Sequence, residues 1–231
     1  LPKVLDEADR DRNVRAVVIG AKGKAFCAGG DVKAMREKTG MFAGESNELR
    51  ERYAEGIQQI PLAIARLKKP LIAMVQGAAV GAGCDLVAMA DLRVAADTAS
   101  FAETFAKVGL VPGDGGAWFL IRAVGHSRAT EMFLTGKTYS AAEARDMGLV
   151  HQVTPSDHLA QKTEELALHL ASLPPIALQL TKKALQQAYE SALAPHLDVV
   201  AAFQGITQRS SDHFEAVNQL LEKRPGVFRH E

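Results

Sequence analysis

Two glycine-rich turns are the parts of this sequence best suited to chemistry. They span residues 20–30 and 77–83, and each lies between an apolar run and a helical pattern. Glycine lets a backbone approach a ligand closely, and the first N–H groups of a helix have no intrahelical partner and carry partial positive charge. If the two turns face one point, their N–H groups can hold an oxyanion.

Three carboxylates beside such turns are candidates for moving a proton. Asp31 follows a glycine at a helix start, Asp85 lies in an otherwise uncharged segment, and Asp114 lies between glycines. Burial disfavours a charged carboxylate and raises its pKa, which makes Asp85 a candidate proton carrier. Each residue also has a structural explanation: a helix cap for Asp31, a buried acid bonded to backbone N–H groups for Asp85, and a turn for Asp114.

The sequence lacks the residues of several other chemistries. It contains no GK[ST] phosphate loop, no G-x-S-x-G elbow and no HExxH motif, and its seven histidines are scattered. Cys27 and Cys84 have no metal-ligand spacing and are too few for a disulfide framework, so each is interpreted as a small buried residue. No metal is expected, and the cysteine usage favours a reducing, cytoplasmic compartment.

Charge and hydropathy favour a small-molecule partner. Lys plus Arg and Asp plus Glu both number 27, so no net field attracts nucleic acid or an acidic membrane. The uncharged segment 70–84 is shorter than the ~20 apolar residues that a membrane span needs. We therefore expect neither a nucleic-acid partner nor a membrane partner, and interpret this segment as a buried strand and turn.

The elements that must position these residues alternate between strand and helix patterns up to about residue 154. This alternation predicts an α/β fold, with strands at 14–19, 71–76, 92–96 and 149–153 and a long helix at 45–68 bent by Pro61. From residue 155 only helical patterns follow, at 156–172, 175–192, 196–209 and 211–223. The predicted organisation is a core with the site at 1–154 and a helical region at 155–231.

Four stretches resemble the crotonase, or enoyl-CoA hydratase/isomerase, superfamily. They are VRAVVIGAKGKAFCAGGDVKAM (14–35), KKPLIAMVQGAAVGAGCDLVAMADLRVAADTASF (68–101), VGLVPGDGGAWFLIRAVG (108–125) and LTGKTYSAAEARDMGLVHQV (134–153). The resemblance implies a core of repeated ββα units, a helical C-terminal region, and homotrimers that often pair into hexamers. It also implies a β-hairpin before the helix that opens the chain.

The resemblance further implies an acyl-CoA thioester substrate, with coenzyme A as part of the substrate and no separate cofactor. By motif, the backbone N–H groups of Gly30 and Ala82 form the oxyanion hole for the thioester oxygen. The implied CoA contacts are Ala28, Asp31, Val32 and Lys33, together with Lys223 near the C-terminus; the implied acyl-pocket residues are Phe105 and Trp118.

One departure from the family pattern bears on the reaction. Typical hydratases use two glutamates, whose positions hold Asp85 and Phe105 here, and a phenyl ring carries no proton. Isomerases similar to the ring-epoxide phenylacetyl-CoA isomerase place one carboxylate in the turn that contains Asp114 in this chain. Asp114 lies one position later along the turn than the carboxylate of those isomerases. Glu103 is another nearby acid without an assigned role.

Double-bond isomerisation of an enoyl-CoA by Asp114 or Asp85 is therefore the leading hypothesis. Hydration that relies on Asp85 alone is the first alternative. A non-catalytic CoA-binding or scaffold protein is the second.

Overall fold

The computed structural model describes residues 1–229, which divide into two compact units. The first comprises Leu1–Asp6, Val18–Arg66 and Leu71–Thr163, and the second comprises Glu7–Val17, Leu67–Pro70 and the chain from Glu164 onward. The first unit carries the glycine turns and the carboxylates described above. Within the described residues, no helix is long and apolar enough to cross a membrane.

Within residues 1–229, eight strands form two four-stranded sheets. The first sheet has the order β1-β3-β5-β8, with β1 Val17–Ile19, β3 Leu71–Val75, β5 Leu92–Ala96 and β8 Gln152–Thr154. The second has the order β2-β4-β6-β7, with β2 Ala25–Cys27, β4 Ala78–Val80, β6 Ser100–Ala102 and β7 Thr138–Ser140. In the first sheet, β5 runs parallel to both β3 and β8. In the second sheet, β2, β4 and β6 are parallel and β7 is antiparallel to β6.

Strands β1 to β6 alternate between the two sheets, which gives the ββα repeat expected from the resemblance. The strands β1 and β2 precede the helix α2 (Val32–Glu37), and β3 and β4 precede α5 (Ala82–Met89). Fully buried side chains such as Leu71, Ile72 and Phe101 form the core on these strands. Burial of such residues is the main favourable term in folding.

The remaining helices mostly follow the predicted pattern. They are α1 Pro2–Arg10, α3 Ser46–Glu55, α4 Gln59–Arg66, α6 Gly116–Thr135, α7 Ala141–Asp146, α8 Leu159–Ala171, α9 Pro175–Ala188, α10 Leu193–Thr207 and α11 Ser211–Glu222. The last four lie within a few residues of the four helices predicted after residue 155. Gly125 has φ +78° and ψ 161°, so α6 is interrupted there.

Two predictions about the elements were wrong. The long helix predicted at 45–68 is two helices, because α3 ends before the cap residue Gly56. Pro61 does not bend a helix, because it lies in the first turn of α4, where a missing N–H group costs no hydrogen bond. The glycine turns do not lead straight from strand to helix, because each contains a three-residue strand, β2 or β4, of the second sheet.

Candidate active site

The candidate site lies at the end of three neighbouring parallel strands of the second sheet. Strand β2 ends at Cys27, β4 at Val80 and β6 at Ala102. Because the carboxyl ends of parallel strands meet at one sheet edge, the segments that follow them come together, and open α/β sheets bind ligands at this edge. These segments are 28–31, 81–82 and 103–105.

The two glycine turns are in direct contact. A Cβ on Gly29 would lie 2.7 Å from the Val80 carbonyl oxygen and 3.8 Å from the Ala82 nitrogen. A Cβ on Gly83 would overlap the Cys27 carbonyl oxygen and lie 2.7 Å from the Cys27 Cβ. Side chains at these positions would therefore force the two turns apart.

Backbone conformation also demands glycine here. Gly29 has φ +85°, and Gly81 has φ +53° with ψ −122°. L-residues with a side chain avoid positive φ because the Cβ clashes with the backbone. The sharp turn at Gly81 makes Ala82 the first residue of α5, so the Ala82 N–H has no intrahelical acceptor.

Gly30 and Ala82 line the same two adjacent cavities, whose volumes are about 100 and 370 Å³. The residues common to both cavities are Gly29, Gly30, Met41, Phe42, Ile57, Ala82 and Asp114. Tyr53, Phe105 and Leu110 contribute to the smaller cavity, whereas Ile60, Leu86 and Met89 contribute to the larger. Among the described residues, no Lys, Arg or His lines either one. The walls are therefore mostly apolar and suit an uncharged acyl group.

Three carboxyl groups are buried beside these cavities, in different positions. Asp114 is 5% exposed and lines both cavities. Asp85 and Glu103 are 0% exposed and line neither. Asp114 is thus the carboxyl group of this cluster that a bound molecule can contact directly.

The three carboxyl groups lie close together. The Asp85 carboxyl group lies within reach of both Asp114 and Glu103, and the Cys84 thiol lies within reach of Glu103. In residues 1–229, no N–H group donates to either carboxyl oxygen of Asp85 or Glu103, or to Oδ1 of Asp114. Buried polar atoms normally have partners, so these oxygens depend on protons carried by the carboxyl groups themselves.

Burial shifts the pKa values of this cluster upward. Loss of hydration raises the pKa of Asp85 far above its usual range, and the hydrogen bond to Asp114 and the negative charge of Glu103 add to this effect. Burial raises the pKa of Glu103 to about 8, against the opposing hydrogen bonds from Cys84 and Asp85. Asp85 and most of Glu103 therefore carry protons at neutral pH.

Two neighbouring groups have raised pKa values for related reasons. Burial raises the pKa of the Cys84 thiol well above its usual value, and the charge of Glu103 raises it further. Burial and the charge of Asp114 raise the pKa of the Tyr53 phenol. Both groups thus stay protonated at neutral pH and remain available as hydrogen-bond donors.

Gly116 makes room for Asp85. A Cβ on this first residue of α6 would overlap the carboxyl group of Asp85. The side chain of Asp85 therefore occupies the space that a side chain at position 116 would fill. This close packing of α5 against α6 fixes the position of Asp85 behind Asp114.

The predicted CoA-contact residues differ in their surroundings. Asp31 is the N-cap of α2, and its Oδ1 accepts hydrogen bonds from the backbone N–H groups of Lys33 at 2.9 Å and Ala34 at 3.0 Å. Ala28 and Val32 line the smaller cavity, and Asp31 lines the larger. Lys33 is exposed and lines neither.

The predicted acyl-pocket residues differ from one another. Phe105 lines the smaller cavity, as a pocket residue would. Trp118 lines neither cavity, because it lies on the exposed side of α6 with 42% of its surface accessible. The Arg122 guanidinium lies 3.6 Å from the centre of its ring, a cation–π contact. Lys223, the remaining CoA candidate, is the C-cap of α11 in the second unit, with φ +52°.

Glu103 is a buried acid to which no sequence pattern assigns a role. It directly follows β6, a three-residue strand that the sequence pattern did not reveal. Had β6 been recognised as a neighbour of β4, Glu103 would have been placed at the same sheet edge as the glycine turns. The sequence feature that could have revealed Glu103 as a site residue was therefore the short strand β6 before it.

Fold and cavity together define an α/β protein of the crotonase class. The whole chain, residues 1–231, matches the family model described as Enoyl-CoA hydratase/isomerase. The chain belongs to this family of enzymes, which act on acyl-CoA thioesters.

Relatives carry the names of different reactions. The chain is 34% identical over 228 residues to the 1,2-epoxyphenylacetyl-CoA isomerase of Escherichia coli, covering 99% of this chain and 86% of the relative. It is 35% identical over 225 residues to the 2,3-dehydroadipyl-CoA hydratase of the same organism, covering 97% and 85%. A crystal structure of an enoyl-CoA hydratase from Bacillus anthracis has a TM-score of 0.91 at 32% identity, covering 99% of this chain and 86% of that one.

Proposed function

We propose that this enzyme shifts the carbon–carbon double bond of an enoyl-CoA, with Asp114 as the base. The observation that supports this most is that Asp114 lines both cavities, whereas Asp85 lines neither. A base must come within hydrogen-bond reach of the proton that it removes. Asp114 meets this requirement without rearrangement of the buried cluster.

The proposed reaction moves one proton between two carbons. Asp114 removes a proton from C2 of a 3-enoyl thioester, and the electron pair of that C–H bond forms a dienolate. The thioester oxygen of the dienolate accepts hydrogen bonds from the N–H groups of Gly30 and Ala82. Protonated Asp114 then returns the proton to C4, the double bond moves to C2–C3, and Asp114 is again a carboxylate.

The backbone N–H groups would supply much of the rate enhancement. Negative charge builds on the thioester oxygen only as the proton leaves, and fixed donors stabilise that charge without reorganisation. One such donor is typically worth ~3 kcal/mol of barrier. The contact between the two turns supports a shared target for the N–H groups of Gly30 and Ala82.

Phe105 favours isomerisation over hydration. Its ring lines the smaller cavity at the position where hydratases of this family carry their second glutamate. An apolar ring cannot position a water molecule or take its proton, and exclusion of water protects a reactive dienolate. Proton transfer between two carbons needs a single base, which Asp114 supplies.

Hydration is the alternative that the names of several relatives favour, including the 2,3-dehydroadipyl-CoA hydratase. In this alternative Asp85 positions the water. The burial of Asp85 behind Asp114 and its raised pKa weigh against it, because a protonated acid without access to the cavity cannot orient a water as a base.

Separate replacement of the two aspartates tests the proposal. The purified enzyme is assayed for conversion of a 3-enoyl-CoA to the 2-enoyl isomer, and for hydration of crotonyl-CoA. We expect isomerase turnover, and we expect Asp114→Asn to lower kcat by ~10²- to 10⁴-fold, the usual contribution of an acid–base group. Asp157→Asn is the matched control, because its side chain is 79% exposed.

Rapid hydration of crotonyl-CoA, without isomerisation and with dependence on Asp85 rather than Asp114, would show that the proposal is wrong. Assembly into homotrimers or hexamers, which the family resemblance implies, and a cytoplasmic location, which the cysteine usage favours, belong to the same proposal. Light scattering on the purified protein checks the assembly.

A further inference from the structure

Glu103 is a buried ionisable group that the proposed reaction does not use. Its side chain is 0% exposed, it lines neither cavity, and neither of its carboxyl oxygens receives an N–H donor among residues 1–229. An isolated carboxylate in this setting would lose its hydration without compensation. A glutamate in such a position needs a reason that packing alone does not provide.

The side chains that surround Glu103 are acids and a thiol, which can share protons with it. Cys84 and Asp85 face it from α5, and Asp114, from the turn before α6, acts on it through charge. Within residues 1–229, no cationic side chain contributes to its ionisation. Asp114 lines both cavities, and Asp85 is the group within reach of both Asp114 and Glu103.

The protonation state of Glu103 determines which carboxyl group accepts the hydrogen bond from the Asp85 hydroxyl. When Glu103 is protonated, it donates to Asp85, and the hydroxyl of Asp85 has Asp114 as its remaining acceptor. When Glu103 is ionised, it becomes a second acceptor beside Asp85 and competes for that same proton. A hydrogen bond from the Asp85 hydroxyl fixes the orientation of the Asp114 carboxylate, because such charge-assisted bonds are short and directional.

We propose that Glu103 is a positioning residue, which directs the Asp85 hydroxyl to Asp114 and so orients the cavity-facing carboxylate. The inference rests on the proposed role of Asp114 as the base. Glu103 lines neither cavity, so it does not contact substrate, and no covalent bond to Glu103 changes during turnover. These side chains are also not arranged as a metal site, because no group of three or more in the described part of the chain surrounds a common point.

Glu103→Gln is the informative variant. The amide has nearly the shape of a protonated carboxyl group and can donate to Asp85, but it cannot ionise. In the wild type, kcat should fall by about tenfold per pH unit above the pKa of Glu103, as for loss of an essential protonated group. That pKa is about 8. The variant should keep its turnover below this pH and lose the alkaline fall, with KM unchanged in both proteins.

Glu51→Gln is the matched control, because Glu51 is an exposed glutamate of α3. It should show the wild-type pH profile. An alkaline fall that persists unchanged in Glu103→Gln overturns the proposal. A loss of kcat by the same factor at every pH also overturns it, because a structural role would then suffice.

Infrared spectroscopy without substrate separates this proposal from the proposed function. Protonated carboxyl groups have a C=O stretching band that carboxylates lack. A band of the wild type should disappear as the pH rises through about 8 and be absent at all pH values in Glu103→Gln. If the wild type isomerises a 3-enoyl-CoA but has no such band, the role of Glu103 is wrong and the proposed function stands. If the band is present but no isomerisation occurs, the proposed function is wrong.

Discussion

The proposed oxyanion cradle and the carboxyl cluster meet beside the same two cavities but are built differently. The cradle, defined by Gly29, Gly30, Gly81 and Ala82, offers backbone N–H groups at the ends of two adjacent strands. The carboxyl cluster, defined by Asp85, Glu103 and Asp114, offers side chains from a helix and two turns.

This difference separates two kinds of requirement on the sequence. A backbone donor depends on conformation and close approach, so the cradle is sensitive to any added Cβ. A buried carboxyl group depends on its neighbours for protons, so the cluster is sensitive to chemistry and to the space around it. Changes in the two regions should therefore fail in different ways.

The largest effect is expected from Gly83→Ala, which breaks the cradle. The new Cβ would overlap the Cys27 carbonyl oxygen, and backbone on both sides cannot rotate away as a flexible side chain does. We expect the free energy of unfolding to fall by about 3 kcal/mol. Because Ala82 moves with the turn, kcat should also fall by ~10²- to 10³-fold, the effect of losing one oxyanion donor.

Chemical denaturation and steady-state kinetics check both numbers. Gly205→Ala is the control, since a Cβ there has nothing within 4 Å and lies in the helix α10. Alanine is the better helix former by up to about 1 kcal/mol, so this control should be neutral or stabilising. Equal loss of stability in both variants would contradict the contact between the two turns.

A smaller effect is expected from Gly116→Ala, which displaces a member of the cluster without altering its chemistry. The added Cβ would overlap the Asp85 carboxyl group, so Asp85 must leave its place behind Asp114. We expect a loss of about 2 kcal/mol in the free energy of unfolding.

Repeating this substitution in an Asp85→Ala background identifies the cause. With the carboxyl group gone, Gly116→Ala should cost less than about 0.5 kcal/mol, so the two changes are coupled by more than about 1 kcal/mol. Additive losses in this double-mutant cycle would mean that Gly116 is required for another reason.

The smallest effect is expected from Asp31→Ala, at the edge of the cradle. Removal of the N-cap should cost about 1 kcal/mol, confined to the short helix α2 and measured by amide hydrogen exchange there. Asp31→Asn is the matched variant, because asparagine caps a helix as well as aspartate does but carries no charge. If Asp31→Asn, which keeps the cap but removes the charge, changes KM for the acyl-CoA, then the charge of Asp31 acts on the substrate in addition to capping the helix.

Much of the fold followed from the sequence because long apolar runs identify buried strands. The strands of the first sheet lie at or near the predicted positions, and β3 and β5 lie within the predicted ranges. Every strand of the second sheet was missed. Each has three residues, and so short a segment, such as Ala78–Val80, has no periodicity of its own. The strands β1 and β8 are equally short and were found because the longer predicted runs 14–19 and 149–153 contain or overlap them.

The features of the site also divide into those that local sequence predicts and those that depend on distant neighbours. The sequence alone determined that two glycine turns precede helices and that Asp85 is desolvated, because these properties belong to single residues and their neighbours in the chain. The family resemblance added that Phe105 stands where a glutamate is expected. The tertiary structure decided that Glu103 lies at the same sheet edge, that Asp85 lies behind Asp114, and that only Asp114 of the three reaches the cavity. Burial and proton sharing are properties of groups brought together from distant positions, so no local pattern encodes them.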